Sequence, residues 1–310
     1  MKQKTKQKRT IMVALALFLL LALAACGGNT EEDPTPTSAV PAEVPTVAAT
    51  EEPAPVEYDS AWEKIQAEGK IVVGTAADYA PFAAYNAEFQ LDGFDIALMN
   101  AIGEEMGYPV EFNDMAFDGL GDALLVGQID VAISAISATP DRAEYVNFSN
   151  IYFATSDSLL TAVDSPLTIA TVEDLANYKI GVQSGSVYAD WLVENLIETE
   201  LIPFTNLSVY QTMDEAVAEL GEGQIDLIVL DKQAGDSIVA ANDEYVNSGS
   251  GLYTQRFAIA MGKGESSLQA EINRALGVLQ TKGVVDELAQ LYLGLNEIPA
   301  ITDPEPPVDP

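Results

Sequence analysis

The sequence predicts an α/β protein made of two similar lobes with mainly parallel sheets. Three observations lead there: short β-branched runs alternate with helical patterns, the alternation comes in two successive series, and both series contain one literal string. The first series opens with Ile71-Val72-Val73-Gly74. It continues through a helical pattern from Asp95 to Met106, the run Val110-Glu111-Phe112, an amphipathic stretch from Gly119 to Val126 and a buried-strand pattern from Ile129 to Ser134. The second runs through Ile180-Gly181-Val182, a helical pattern from Tyr188 to Ile197, Val209-Tyr210, a helical pattern from Met213 to Leu220 and an apolar run from Ile225 to Leu230. The shared string is Gly127-Gln128-Ile129-Asp130 and Gly223-Gln224-Ile225-Asp226, each after an amphipathic helix and before a buried strand. In such sheets ligands lie beyond the carboxyl ends of the strands, which singles out Tyr79, Ser134 to Arg142, Gln183 to Ser186, and Asp231.

The two ends of the chain read differently. Residues 1–25 have the pattern of a signal peptide: a basic stretch from Lys2 to Arg9, then 15 apolar residues from Ile11 to Ala25, shorter than the roughly 20 that span a bilayer. Leu23-Ala24-Ala25-Cys26 matches a bacterial lipobox, which implies cleavage before Cys26, lipidation of its thiol and an extracytoplasmic protein anchored to the membrane. Residues 26–57, rich in Pro, Thr, Ala and Glu, read as an extended tether, and residues 295–310, with five prolines, as a disordered tail.

Composition removes whole classes of chemistry. Cys26 is the only cysteine, so neither an internal disulfide nor a thiolate metal site is expected. The chain has no histidine, which rules out a Ser-His-Asp triad and the commonest metal ligand, and no cofactor is expected. Net charge is −34, and five of the 14 Lys and Arg lie in the first nine residues, leaving nine basic residues against 48 acidic ones. That balance excludes nucleic acid and suits either cationic or zwitterionic solutes or solubility in high salt.

In so acidic a molecule an anion site must be local, and one segment has the makings of it: Ser134-Ala135-Ile136-Ser137-Ala138-Thr139-Pro140-Asp141-Arg142. Thr before Pro predicts a helix opening at Thr139-Pro140 with Arg142 in its first turn. Free backbone N–H groups, the hydroxyls of Ser134, Ser137 and Thr139, and the guanidinium together suit a carboxylate. The same residues also fit a surface helix start in which Arg142 pairs with Asp141, Glu144 or Asp118. Asp231, at the end of an apolar strand, invites a cationic partner or serves as N-cap of a helix from Lys232.

The strings Gly74-Thr75-Ala76-Ala77-Asp78-Tyr79-Ala80-Pro81-Phe82, Gly93-Phe94-Asp95-Ile96, Phe117-Asp118-Gly119-Leu120, Gly127-Gln128-Ile129-Asp130-Val131 and Thr139-Pro140-Asp141-Arg142, followed by Val146-Asn147-Phe148-Ser149, resemble the extracellular solute-binding proteins of polar amino-acid ABC transporters over residues 70–293. The resemblance implies a two-lobed, type II periplasmic-binding-protein fold with a discontinuous first lobe (residues 58–158 and 253–294), a second lobe (159–252) and a ligand cleft between them. It implies that Arg142 holds the α-carboxylate of an amino acid, helped by the backbone at Ala135 to Ser137, by Ser134 and by Ser186. Asp231 would take the α-ammonium, while Tyr79 and Phe117 enclose the side chain. Cleft closure and delivery to ABC permease subunits by a monomer follow from the same resemblance, and not catalysis.

Departures bear on the ligand. Ala76 stands where basic amino-acid binders of the family often carry Asp, which favours polar uncharged or acidic amino acids. Val187 replaces a small or hydroxyl-bearing residue. Asp78 and Gln183, with Glu88 and Asp118, are candidates for reading a side-chain tip, and Asp95 reads as an N-cap outside the site. A sensing subunit of a signalling receptor, or a dehydratase-like enzyme on the same fold, are the alternative functions.

Overall fold

The computed structural model describes residues 58–165, 167, 169, 171–247, 253–295 and 298. The expected leader, Cys26 and the tether lie outside the described residues. So does the tail, apart from Leu295 and Ile298, which pack against the larger core.

Two sheets organise the chain. The first has the order β5-β1-β6-β14-β7, built from β1 (Ile71–Thr75), β5 (Val110–Asp114), β6 (Val131–Ala132), β7 (Val146–Phe148) and β14 (Ala260–Gly262). The second has the order β10-β9-β11-β8-β12, from β8 (Phe153–Ala162), β9 (Ile180–Gln183), β10 (Leu207–Tyr210), β11 (Leu227–Asp231) and β12 (Tyr245–Asn247), with β13 (Thr254–Phe257) paired to β8. The chain passes from the first lobe to the second through β8 and returns through β13, so the first lobe is discontinuous.

Two of the four strand pairings in the first sheet are parallel, and two of the five in the second. β1 runs parallel to β5 and β6, and β9 to β10 and β11, as the strand-helix alternation requires. β14 lies antiparallel to β6 and β7, and β8 antiparallel to β11, β12 and β13. This corrects the expectation of mainly parallel sheets, because the antiparallel pairings come from strands after the crossovers. A small meander, β2 (Asp78–Tyr79), β3 (Ala83–Tyr85) and β4 (Leu91–Asp92), forms a third sheet that the pattern also missed.

The apolar runs are buried on both faces, and period two divides them. In β1, Ile71 and Val73 enter the largest core cluster while Val72 enters a smaller one with Leu120, Leu124 and Ile129. In β11, Ile228 and Leu230 face the largest cluster, and Leu227 and Val229 face a third with Val182 and Leu192.

The repeated string is one structure built twice. Asp130 donates its N–H to the carbonyl of Val72 at 2.8 Å and accepts from Val72 N–H at 2.8 Å. Asp226 does the same with Lys179, at 2.8 and 2.7 Å. Each aspartate thus ties the end of its helix to the start of the neighbouring strand. The isoleucines repeat too: Cδ1 of Ile129 lies against Gly74 and Cδ1 of Ile225 against Gly181, each so close that any Cβ on the glycine would overlap it.

The return strand also grips the first lobe. Ser137 forms an antiparallel bridge with Phe257, Ala138 N–H donates to the carbonyl of Arg256 at 2.8 Å, and Ala258 N–H donates to the carbonyl of Ile136 at 3.0 Å. The long helices Phe94–Met106, Ser266–Thr281 and Val284–Leu293 pack beneath the first sheet.

Candidate functional site

The segment after β6 folds as its residues dictate. Thr139 caps the four-residue helix Pro140–Ala143, accepting from Arg142 N–H at 3.2 Å, with Pro140 at the first helical position. This cap fixes the backbone of Arg142 and sends its side chain along the loop. Nη1 donates to the carbonyl of Ser137 at 3.1 Å, and Nη2 donates to the carbonyl of Gly185, in the second lobe, at 2.8 Å. The guanidinium carbon lies 5.8 Å from the centre of the Phe117 ring, within cation–π range. Among the described residues Arg142 makes no ion pair with Asp141, Glu144 or Asp118, so the surface-pairing alternative fails. Burial pulls its pKa down, partly offset by Asp190 and Tyr253. Asp118 instead accepts the Ser184 hydroxyl at 2.8 Å across the lobes.

Asp231 closes β11 with its carboxylate fully buried. It occupies the N-cap position of the helix Lys232–Ala241 but makes no side-chain cap bond, which overturns the capping alternative. Its Oδ2 accepts from the Tyr79 hydroxyl at 2.8 Å and its Oδ1 from the Tyr188 hydroxyl at 3.0 Å, while Asp231 N–H donates to Tyr79 Oη at 2.9 Å. Burial raises the Asp231 pKa to about 7 against the lowering effect of the two tyrosines. Both hydroxyls are in turn pushed well up, first by burial and then by the neighbouring carboxylate.

These two charged groups share one cavity of about 20 Å³, so tightly do the lobes meet. Of the residues chosen from sequence, Tyr79, Phe117, Ser134 and Ala135 line it from the first lobe together with Arg142. Gln183 and Ser186 line it from the second lobe together with Asp231. Ser134 Oγ accepts from Ala76 N–H at 3.1 Å. The Ser186 hydroxyl is already committed, donating to the Gln183 carbonyl at 2.8 Å and accepting from Ala189 N–H at 3.2 Å as cap of the helix Val187–Leu192. Ser137 is not among the lining residues; its hydroxyl bonds Gln255 and its carbonyl holds Arg142.

Asp78 stands behind this wall. Its Oδ2 accepts from Gln183 Nε2 at 3.1 Å and from Met213 N–H at 2.7 Å, both in the second lobe, and its Oδ1 is buried with no partner. Burial raises its pKa, opposed by the Met213 N–H. Glu88 lies in an exposed turn away from the lining. Asp95 is no N-cap: Gly93 holds that position, and the Asp95 carboxylate turns inward to accept from Ala135 N–H at 2.6 Å and from the Tyr152 hydroxyl at 2.9 Å.

Sequence reasoning missed Tyr188, Met213, Val229 and Gln255 in the lining. Tyr188 follows the Ser186 cap by two residues, a signal that could have found it, whereas Gln255 reaches the site only through the pairing of β13. A larger cavity of about 250 Å³ lies beside Arg142 and Phe117, but its walls are mostly apolar, with Leu120, Leu124, Ile136 and Phe148. The smaller cavity is the one whose lining carries ionisable groups of both signs, Arg142 and Asp231. No group of three or more metal-ligating side chains is placed to hold an ion among the described residues.

Comparisons with known proteins find relatives over most of the chain. The model of the family described as bacterial extracellular solute-binding proteins, family 3, matches residues 71–295. The L-cystine-binding protein TcyJ of Escherichia coli (strain K12) is 25% identical over 234 residues, covering 75% of this chain and 86% of that protein. The arginine-binding extracellular protein ArtP of Bacillus subtilis (strain 168) is 28% identical over 228 residues, covering 72% and 86%. Among solved structures, the P235GK mutant of ArgBP from T. maritima superposes with a TM-score of 0.70 at 30% identity, covering 76% of this chain and 100% of that one. An ancestral arginine-binding protein bound to glutamine gives a TM-score of 0.68 at 31% identity, covering 73% and 99%.

Proposed function

Because the chain belongs to the bacterial extracellular solute-binding proteins, family 3, we propose that it captures a free amino acid between its lobes and, anchored through Cys26, passes it to the permease of an ABC importer. The family and the relatives are solute-binding proteins and not enzymes. The observation that carries the reading is the pairing of Arg142 from one lobe with Asp231 from the other at a single cavity.

A guanidinium has five N–H donors, and Arg142 spends two of them on the carbonyls of Ser137 and Gly185. Those left over suit an α-carboxylate. Asp231 accepts two hydroxyls and keeps lone pairs for an α-ammonium. A ligand with only one charged group leaves the other wall buried and unpaired, a penalty of several kcal/mol per ion that holds the cleft open, by order of magnitude about 3–5 kcal/mol once a partner is missing. A cavity of about 20 Å³ holds little more than a water molecule, so entry requires the lobes to part. Closure then brings the Arg142 and Asp231 walls onto the two ends of the zwitterion, at a wider separation than a cavity of about 20 Å³ allows.

The side chain follows from the remaining charges. Beyond Arg142 the lining carries Asp231, with Asp78 behind it on Gln183, and no second cation among the lining residues, so an acidic side chain finds no counter-charge. The ligand is therefore a polar uncharged or cationic amino acid, which corrects the preference for polar uncharged or acidic ligands drawn from Ala76 and accords with the names of the relatives.

Titration calorimetry with L-arginine, L-glutamine, L-cystine and L-glutamate tests the reading, together with N-acetyl and carboxamide forms of each binder. The expected result is binding of at least one free amino acid, weak or no binding of glutamate, and failure of both blocked forms. Equal binding of a blocked form overturns the two-ended capture. Anchoring is tested separately: Cys26→Ser should lose lipid label and membrane association, and retained label removes that part of the reading.

A further inference from the structure

Asp95 lies wholly buried in the first turn of the helix Phe94–Met106, beneath the segment that lines the cavity. The rings of Phe94 and Tyr152 pack there with centroids 6.0 Å apart, and Tyr152 packs on Phe257 at 6.3 Å. A carboxylate in such surroundings is expensive to keep, and among the described residues no basic side chain is bonded to it. One of its two bonds anchors it to Tyr152. The other, the short contact from Ala135 N–H at 2.6 Å, is made to a residue of the cavity wall.

Ala135 is unusual in its own right. Its φ is +49°, a left-handed conformation that crowds a Cβ against its own backbone. Something must hold it there. Ser134 and Ser137 on either side are tied to Ala76 and to Gln255, and Ser137 carries Arg142 through its carbonyl. A change at Ala135 therefore displaces the guanidinium's support.

We propose that Asp95 is a positioning residue for ligand binding: it fixes Ala135 in the left-handed conformation and so shapes the Ser134–Ser137 loop that meets the ligand. The proposal rests on the reading of the cleft as an amino-acid site. Asp95 touches no ligand itself; it acts through the N–H of Ala135.

The test is a double-mutant cycle in the full chain with Asp95→Asn and Ala135→Gly, read by calorimetry with whichever of L-arginine, L-glutamine or L-cystine binds the unmutated protein. Asp95→Asn keeps the shape but offers one uncharged oxygen where the carboxylate offers two, so the bond from Ala135 N–H loses its charge assistance and competes with the Tyr152 hydroxyl for the remaining acceptor. Affinity should fall about tenfold or more, with circular dichroism and melting showing a folded protein. Glycine adopts positive φ without steric cost, so Ala135→Gly should recover at least about threefold in the Asp95→Asn background, a gain absent from the unmutated background. A purely structural loss gives no such rescue. Unchanged affinity in Asp95→Asn, or strictly additive effects, overturns the proposal while leaving amino-acid binding intact. If the unmutated protein binds none of the three, the amino-acid reading fails first and the proposal falls with it.

Discussion

Arg142 in the first lobe donates from Nη2 to the carbonyl of Gly185 in the second at 2.8 Å, so the group suited to a carboxylate is also a contact between the lobes. Gly185 can come that near only because it lacks a side chain. Its φ is +71°, and a Cβ there would lie 2.9 Å from Cβ and 3.1 Å from Cα of Asp118.

Gly185→Ala should therefore hinder closure, and at φ +71° it also strains its own turn by about 1 kcal/mol. Ligand affinity is expected to fall about tenfold or more, the size of a 1–3 kcal/mol overpacking penalty, while the melting point without added ligand falls by only a few degrees, about 2–4 °C. Small-angle scattering with saturating ligand checks this. A compaction on ligand addition as large as that of the unmutated protein would contradict it.

Arg142→Ala leaves a ligand carboxylate without a partner, a loss of about 3–5 kcal/mol by analogy with breaking a buried ion pair. Arg142→Lys should recover little, since one ammonium cannot reach the Ser137 and Gly185 carbonyls in the fork geometry and also meet a ligand. Calorimetry on both variants, after circular dichroism, is the measurement. Near-original affinity in the lysine variant would show that charge alone matters there.

The carboxyl of Asp231 is raised from 3.8 to about 7 in the folded protein. Between those values the folded state binds more protons than the unfolded one, so this group's contribution to stability falls as pH rises through the window. Urea midpoints from pH 4 to 8 should show Asp231→Asn gaining stability relative to the unmutated protein as pH rises. Ligand affinity should move the other way, since an α-ammonium selects the carboxylate: it should weaken by up to about tenfold per pH unit below about 7. Asp95, raised to about 7 as well, remains in Asp231→Asn and leaves a residual slope. A pH-independent difference between the two proteins would remove the Asp231 assignment.

The paired close contacts give a prediction about folding. Gly74→Ala and Gly181→Ala each force a methyl into Cδ1 of Ile129 or Ile225, with an expected loss of about 1–3 kcal/mol. Ile129→Val and Ile225→Val remove that atom and should rescue the matching alanine and not the other. Urea unfolding of the four single and four double variants decides it.

What could be read from sequence was local. Thr139 and Pro140 announce their cap, and the cap aims Arg142; Asp231 stands out because it ends an apolar strand. Asp95 misled because an acidic residue at a helix start is usually a cap, whereas here Gly93 takes that place and the side chain turns toward a loop 40 residues away. Strands β7, β12 and β14 hold three residues each and pair with distant partners, so no local periodicity marks them. Gln255 belongs to the same class: its place beside Ser137 is a product of pairing across 118 residues.

The return strand β13 is bonded on one flank to β8, from Thr254 opposite Ser156 to Phe257 opposite Phe153, and on the other to the loop that carries Arg142. In mechanical terms this is a torsion bar with the receptor loop welded to its side. Both passages between the lobes run side by side in one ladder, so any turn of one lobe against the other twists that ladder. On the reading proposed above, a ligand held by Arg142 grips the loop bonded to the same strand, and its pull is felt beside the connection that has to twist.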